Sequence, residues 1–167
     1  MREALRDWGS AILRAAVLLL LLYYFCWPVR LMGSSMEPTM GDGEIVLMSR
    51  FAARTGNYQR GDIVIFSYHD AEGAHTVVKR VIATSGDSLR IAEGGVEVNG
   101  ELLREDYAVG ETYGLADFTI PAGMVYVLGD NREESYDSRH MGAIEQKALM
   151  GKVVFRIYPP TEFGRIS

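Results

Sequence analysis

"TVVKRVI" (residues 76–82) decides how this chain folds. Five of its seven residues are β-branched, and such side chains favour extended backbone. On a strand Val77, Lys79 and Val81 share one face, and Val78, Arg80 and Ile82 share the other. Each face is apolar around a single cation. Either both cations reach a rim, or one of them is desolvated. The preceding run, "DIVIFSY" (62–68), has the same character, and the polar "HDAEGAH" (69–75) between them reads as a hairpin loop. Further out lie "EIVLMS" (44–49), "SLRIAE" (88–93), "VEVNGELL" (96–103), "MVYVLGD" (124–130) and "KVVFRIY" (152–158). Gly, Asp and Asn punctuate them, as in "MGDGE", "SGD" and "LGDN". The stretch "LRIAEGGVEVNG" (89–100) reads as a hairpin turning at Gly94 and Gly95. Only residues 143–149 hint at a short helix. There are no internal repeats and no low-complexity tracts. The pattern predicts a mainly β domain over residues 31–167, a closed or half-closed barrel of antiparallel strands.

Residues 1–30 are different. From Trp8 to Trp27 the chain is apolar apart from Ser10 and Arg14. Twenty helical residues at ~1.5 Å each would cross the ~30 Å core of a bilayer. Arg14 could snorkel, Trp8, Tyr23, Tyr24 and Trp27 suit interfacial belts, and Pro28 would stop the helix. A cleaved leader would end in small residues, whereas this run ends in the bulky "YYFCWP", so a retained anchor is expected. Arginines flank both ends, so charge alone does not orient the span. The first thirty residues carry four Arg against Glu3 and Asp7, while the rest carries 13 basic and 20 acidic residues. An acidic body argues against nucleic acid as a partner. Cys26 is the only cysteine, which excludes an internal disulfide and a cysteine-type metal cluster.

Lysine is scarce: Lys79, Lys147 and Lys152 are the only three. Arg cannot usefully lose its proton, but Lys can. Lowering a lysine pKa from about 10.4 to 8 costs roughly 3 kcal/mol, which burial among valines can impose. The neutral amine is then a general base able to activate a serine. "GSSMEPT" (33–39) offers two serines on a turn where Gly33 frees the backbone and Pro38 biases Glu37 towards extended geometry. It reads either as a plain linker or as a turn that presents a nucleophile with backbone N–H groups beside it. "LGDNREESYDSRH" (128–140) packs many polar residues after an apolar strand, as a surface loop or as a loop that positions catalytic groups.

Together these segments resemble the bacterial type I signal peptidases. "GSSMEPT" matches that family's S-M-x-P-T, "RGDIVIF" (60–66) its core strand, and "VVKRVIATSGD" (77–87) its lysine strand. "GDNREESYDSR" (129–139) matches G-D-N-x-x-x-S-x-D-S-R residue for residue. The likeness spans about residues 8–142, and is weak from 90 to 125 and beyond 150. It implies a Ser–Lys dyad endopeptidase on a signal-peptidase-like antiparallel β-barrel or sandwich behind one transmembrane helix. Carried over, Ser35 is the nucleophile, since it precedes Met36 in the motif, and Lys79 is the general base. Ser135 would hydrogen-bond the amine, Asp137 and Arg139 would form a supporting ion pair, and Asp130 would stand nearby. The Ser35 N–H would hold the oxyanion. Gly33 occupies a position where some members have a hydroxyl, so no side-chain donor is expected there. Met36, Val77 and Val78 would line shallow apolar pockets. Ser85 stands where many members have Pro, which loosens a turn but touches no chemistry. The implied partners are the lipid bilayer and preprotein signal peptides, cleaved after A-x-A-like sites, with no cofactor and no metal. The implied location is the bacterial cytoplasmic membrane, single-pass, with the catalytic domain on the outer face.

Three rivals stand beside this. A self-cleaving Ser–Lys repressor-type protease would carry a DNA-binding module, which the acidic body opposes. A Ser–His–Asp hydrolase could draw on His69, His75 or His140, but no G-x-S-x-G elbow is present. His69, Asp70 and His75 lack the spacing of a zinc set. An inactive membrane-tethered module that binds preprotein segments would be expected to lack Ser35 or Lys79.

Overall fold

The computed structural model describes residues 2–25, 27–70, 73–92 and 95–166. Helix α1 (Arg2–Phe25) is followed by β1 (Trp27–Arg30), β2 (Ile45–Ser49), a one-turn helix α2 (Phe51–Thr55), β3 (Ile63–Asp70) and β4 (Gly73–Thr84). Then come β5 (Ser88–Ala92), β6 (Gly95–Val98), β7 (Glu101–Leu102), β8 (Ala116–Thr119) and β9 (Met124–Leu128). Helix α3 (Ser138–Met141), β10 (Ile144–Glu145) and β11 (Leu149–Tyr158) complete the order. A seven-stranded sheet runs β1-β2-β11-β3-β4-β9-β10, and a four-stranded sheet runs β7-β6-β5-β8. Every strand pair is antiparallel.

The fold is therefore mainly β, as expected, but its sheets are open. A barrel closes only if its end strands pair. Here β1 and β10 end the large sheet, and β10 is two residues long. Residues 143–149, expected as a short helix, instead hold β10 and a single 3₁₀ turn, Gln146–Ala148. "VEVNGELL" is not one strand: Asn99 and Gly100 both adopt positive φ and turn β6 into β7. The "HDAEGAH" loop is shorter than expected, because the β3–β4 ladder continues to Asp70↔Gly73. Gly94 of the expected "EGG" turn lies outside the described residues, as does Cys26.

The amino-terminal helix also departs from expectation. Trp27 and Pro28 do not end it; they enter β1, where Pro28 pairs in register with Leu47. An edge strand tolerates proline because one side of its backbone needs no partner. The unbroken apolar part of α1, residues 15–25, is then only ~16 Å long at ~1.5 Å per residue, against ~30 Å of hydrocarbon. Among the described residues no helix is long and apolar enough to cross a membrane.

Three apolar clusters hold the strands. Val64, Phe66, Val81, Val125 and Val127 fill one side of the large sheet. Val46, Met48, Ile63, Ile65 and Val153 fill the other, closed by Leu31, Met36 and Met40 from the β1–β2 loop. Ile82, Leu89, Ile91, Val96, Val98 and Leu128 join the small sheet to the large one. The second cluster positions the site, because it pins the "SSMEPT" loop against β3 and β4.

Candidate active site

The β1–β2 loop is tied at its base, where the Leu31 N–H donates to the Glu44 carbonyl and the Gly43 N–H to that of Leu31. Gly33 takes φ 87°, a left-handed conformation that a side chain would strain. The Glu37–Pro38 bond is cis. Met36 and Met40 are buried at 4% and 1% exposure, so the turn between them is held by core packing rather than left as a loose linker. Its apex meets the 128–140 loop. The Asn131 backbone N–H donates to the Ser35 carbonyl at 3.1 Å, and its side-chain amide to the Ser34 carbonyl at 3.3 Å. This approach requires Gly129: a Cβ there would overlap the Ser35 carbonyl oxygen and Ser135 Oγ.

Lys79 lies opposite Val64 in the β3–β4 ladder and is 3% exposed. Its Nζ donates to Ser35 Oγ at 2.7 Å. Burial is the largest influence on this amine and lowers its pKa to about 8. Asp137 and Asp130 pull the other way, and Arg139 adds a little to the lowering. Of the two cations on the strand, it is therefore the lysine that is desolvated without a carboxylate bonded to it. Arg80, the other, is fully paired: Nε and Nη2 donate to Asp130 at 2.8 and 2.7 Å, and its guanidinium lies 4.0 Å over the Tyr107 ring.

The remaining expected residues fall as follows. Asp137 and Arg139 form a two-pronged pair at 2.8 and 2.9 Å. Burial disfavours the Asp137 carboxylate, but Arg139 and the Gly129 N–H hold its pKa below the usual carboxylate value. Asp130 is wholly buried and serves Arg80 and the Thr39 hydroxyl. Ser135 Oγ is buried beside Gly129 and makes no well-formed hydrogen bond among the described residues, although it lies close enough to the Asp137 carboxylate to help keep that group ionised; the expected bond to Lys79 is not made. Met36, Val77 and Val78 all border one cleft of about 420 Å³, together with Ser35, Lys79 and His75. His140 stacks on Tyr136 at 4.9 Å.

The family profile described as "Signal peptidase, peptidase S26" matches residues 5–158. The chain belongs to that family. The signal peptidase IB of Staphylococcus aureus is 35% identical, with 98% of this chain and 94% of that protein covered. A probable signal peptidase I-2 of Synechocystis sp. is 32% identical, over 95% of this chain and 76% of the relative. A crystal structure of a signal peptidase I from Enterococcus faecalis V583 is 32% identical and aligns with a TM-score of 0.47, over 57% of this chain and 96% of that one.

Several residues around this candidate site carry no signal of their own in the sequence. Arg132 is 2% exposed and links Gly129 to the weakly matching 90–125 stretch: Nε donates to the Gly129 carbonyl at 2.9 Å, and the guanidinium binds Glu105 and Thr112. Thr39 bridges Asp130 and Arg80. Arg132 lies inside "GDNREESYDSR" and Thr39 closes "GSSMEPT", so position in a motif is the available signal. Glu105 and Thr112 have none.

Proposed function

We propose that this protein is a membrane-attached serine endopeptidase that removes amino-terminal signal peptides from exported preproteins. The observation that carries the reading is the 2.7 Å contact between Ser35 Oγ and a buried lysine whose pKa is lowered to about 8. Near neutral pH and above, a useful fraction of such an amine is uncharged and can accept the serine proton. Ser35 Oγ then attacks the scissile carbonyl, and its proton passes to Lys79. The Ser35 N–H serves the oxyanion. Collapse breaks the C–N bond, and the Lys79 ammonium returns its proton to the leaving amine. A water deprotonated by Lys79 hydrolyses the acyl-enzyme and frees Ser35.

Met36, Val77 and Val78 border the cleft that would take the small residues at −1 and −3, which point the same way along an extended substrate. Helix α1 is the proposed attachment to lipid. Support comes from Leu18, Leu19, Leu20 and Leu21, all at least half exposed, with Arg14 placed to snorkel. From the family resemblance we carry over an amino terminus in the cytoplasm and a β domain on the outer face of a bacterial membrane, a topology that the short apolar part of α1 does not by itself supply.

Incubation of the detergent-solubilised protein with a preprotein bearing an A-x-A site tests the reading. Ser35→Ala is expected to abolish cleavage and Ser34→Ala to keep most of it; equal loss in both would misplace the nucleophile. Protease protection in right-side-out vesicles tests the topology. A β domain shielded from added protease would overturn it.

A further inference from the structure

The last strand and the tail beyond it lie outside the motifs, yet they converge on the loop that carries Ser35. Arg156, on β11, is 8% exposed. Its guanidinium meets three groups. It forms an ion pair with Glu44 at 2.9 Å, donates to the Thr39 carbonyl, and pairs with the Glu162 carboxylate in the 3₁₀ turn after β11. Thr39 and Glu44 both belong to the β1–β2 loop, and Glu162 belongs to the tail. A guanidinium taken out of water at such a place costs several kcal/mol unless it is well paired, so three partners make a stiff junction.

The tail is itself fastened. The Arg156 N–H donates to the Gly164 carbonyl at 2.7 Å, and the Gly164 N–H donates back at 3.2 Å. Phe163 packs edge-on to Phe155 at 4.8 Å, and Ile166 packs on the cluster containing Leu31, Met36 and Met40. Thr39 is thus gripped from both ends, its hydroxyl by Asp130 and its carbonyl by Arg156. It stands four residues after Ser35. The intervening turn is closed by bonds from the Glu37 N–H to the Ser34 carbonyl and from the Met40 N–H to that of Met36. A shift at Thr39 therefore moves Ser35.

We infer that Arg156 is a positioning residue for the nucleophile, and that Glu162 makes the carboxy-terminal tail part of the catalytic scaffold. The inference rests on the proposed Ser35–Lys79 chemistry. Lysine at 156 keeps the charge but cannot span a carbonyl and two carboxylates at once.

The test is the full chain with Arg156→Lys, assayed on an A-x-A preprotein well below its melting temperature. A nucleophile displaced by a fraction of an ångström to ~1 Å should lower kcat on the order of 10–10²-fold while leaving KM nearly unchanged. A displaced Ser35 would also uncover the Lys79 amine that it now contacts at 2.7 Å, so the midpoint of the pH–rate profile should move upward from about 8. Ile91→Val, in the small-sheet core, is the control for simple destabilisation and should leave that midpoint in place. Should Arg156→Lys fail to fold, Glu162→Gln decides, since Glu162 is half exposed: the same upward movement supports the inference. Wild-type kcat and midpoint in whichever of the two variants folds would overturn it. If Ser35→Ala is dead while Arg156→Lys is normal, only this inference fails; an active Ser35→Ala would remove the functional reading beneath it.

Discussion

The two sheets of this protein spend their burial differently. The small sheet joins the large one through Ile82, Leu89, Ile91, Val96 and Val98, an aliphatic layer with no charged side chain in it. The large sheet and its loops bury Lys79, Arg80, Asp130, Arg132, Asp137 and Arg156. The buried polar atoms without a well-aligned hydrogen bond among the described residues also lie in the large sheet's strands and loops: the hydroxyls of Tyr58 and Ser135, and the Glu44 and Arg156 atoms that face each other in the 2.9 Å ion pair. An aliphatic layer lowers free energy wherever it is placed. Buried charges do so only if every partner is in position, so they belong where position matters for chemistry. The difference marks one sheet as ballast and the other as machinery.

The sharpest way to break that comparison is Lys79→Arg. It preserves length and charge in the machinery sheet but supplies no base. We expect a loss on the order of 10²–10⁴-fold or more in turnover, equal to that of Lys79→Ala. The wild-type rate should rise with pH through about 8 and level off above it. Stability should rise too. The unfolded chain holds the lysine proton up to its ordinary pKa near 10.5, the folded one only to about 8, so between those values folding is favoured increasingly as pH climbs. Below about 8 the full penalty of the buried cation remains. Near-wild-type turnover in Lys79→Arg, or a rate profile centred near 6.5 and lost with His75→Ala, would remove the dyad.

Asp130→Asn comes next. It leaves the Arg80 guanidinium, 3% exposed, without its carboxylate, and removing one member of a buried pair costs about 3–5 kcal/mol. Chemical denaturation should read that loss, and kcat should fall with it because Thr39 is released. Leu89→Ala in the small sheet should cost about 2–5 kcal/mol of stability. There, however, kcat of the folded fraction should stay within roughly twofold, since Leu89 lies in the small sheet's aliphatic layer and lines no part of the cleft. A small-sheet variant that slowed chemistry as much as Asp130→Asn would erase the distinction between the sheets.

This division was half legible in the sequence. The strand "TVVKRVI" announced a cation between apolar neighbours, and the structure selects Lys79 because Arg80 has Asp130. That selection needed the position of residue 130 in space, which alternation along one strand cannot give. The pairing of Arg132 with Glu105 was illegible for the same reason: the partners are 27 residues apart, and one sits in a stretch without a pattern. The strand-like runs and turns point to a closed or half-closed barrel, but whether end strands meet depends on lengths such as that of two-residue β10. Pro28 reads as a helix stop because proline cannot continue a helix, yet here it joins an edge strand. Arg156 gave no signal, since an isolated arginine on a strand looks the same whether it faces water or three partners.

The smallest expected effect concerns Ser135. Its hydroxyl is buried beside Gly129 and forms no well-made hydrogen bond among the described residues, its nearest charged neighbour being the Asp137 carboxylate. Removing a hydroxyl with no well-formed bond costs little, because the weak interaction lost with Asp137 is offset by the disappearance of a desolvated polar group. Ser135→Ala should therefore change the free energy of unfolding by no more than about 1 kcal/mol in either direction. If the hydroxyl turns to the Lys79 amine once substrate is bound, it aims the base and contributes about 0.5–1.5 kcal/mol there. That corresponds to a fall of roughly two- to tenfold in kcat with KM held. Stopped-flow cleavage of a signal-peptide substrate beside a denaturant titration reads both quantities. A variant that loses stability but not rate would make Ser135 a packing residue, and the expected hydrogen bond to the lysine would then be withdrawn.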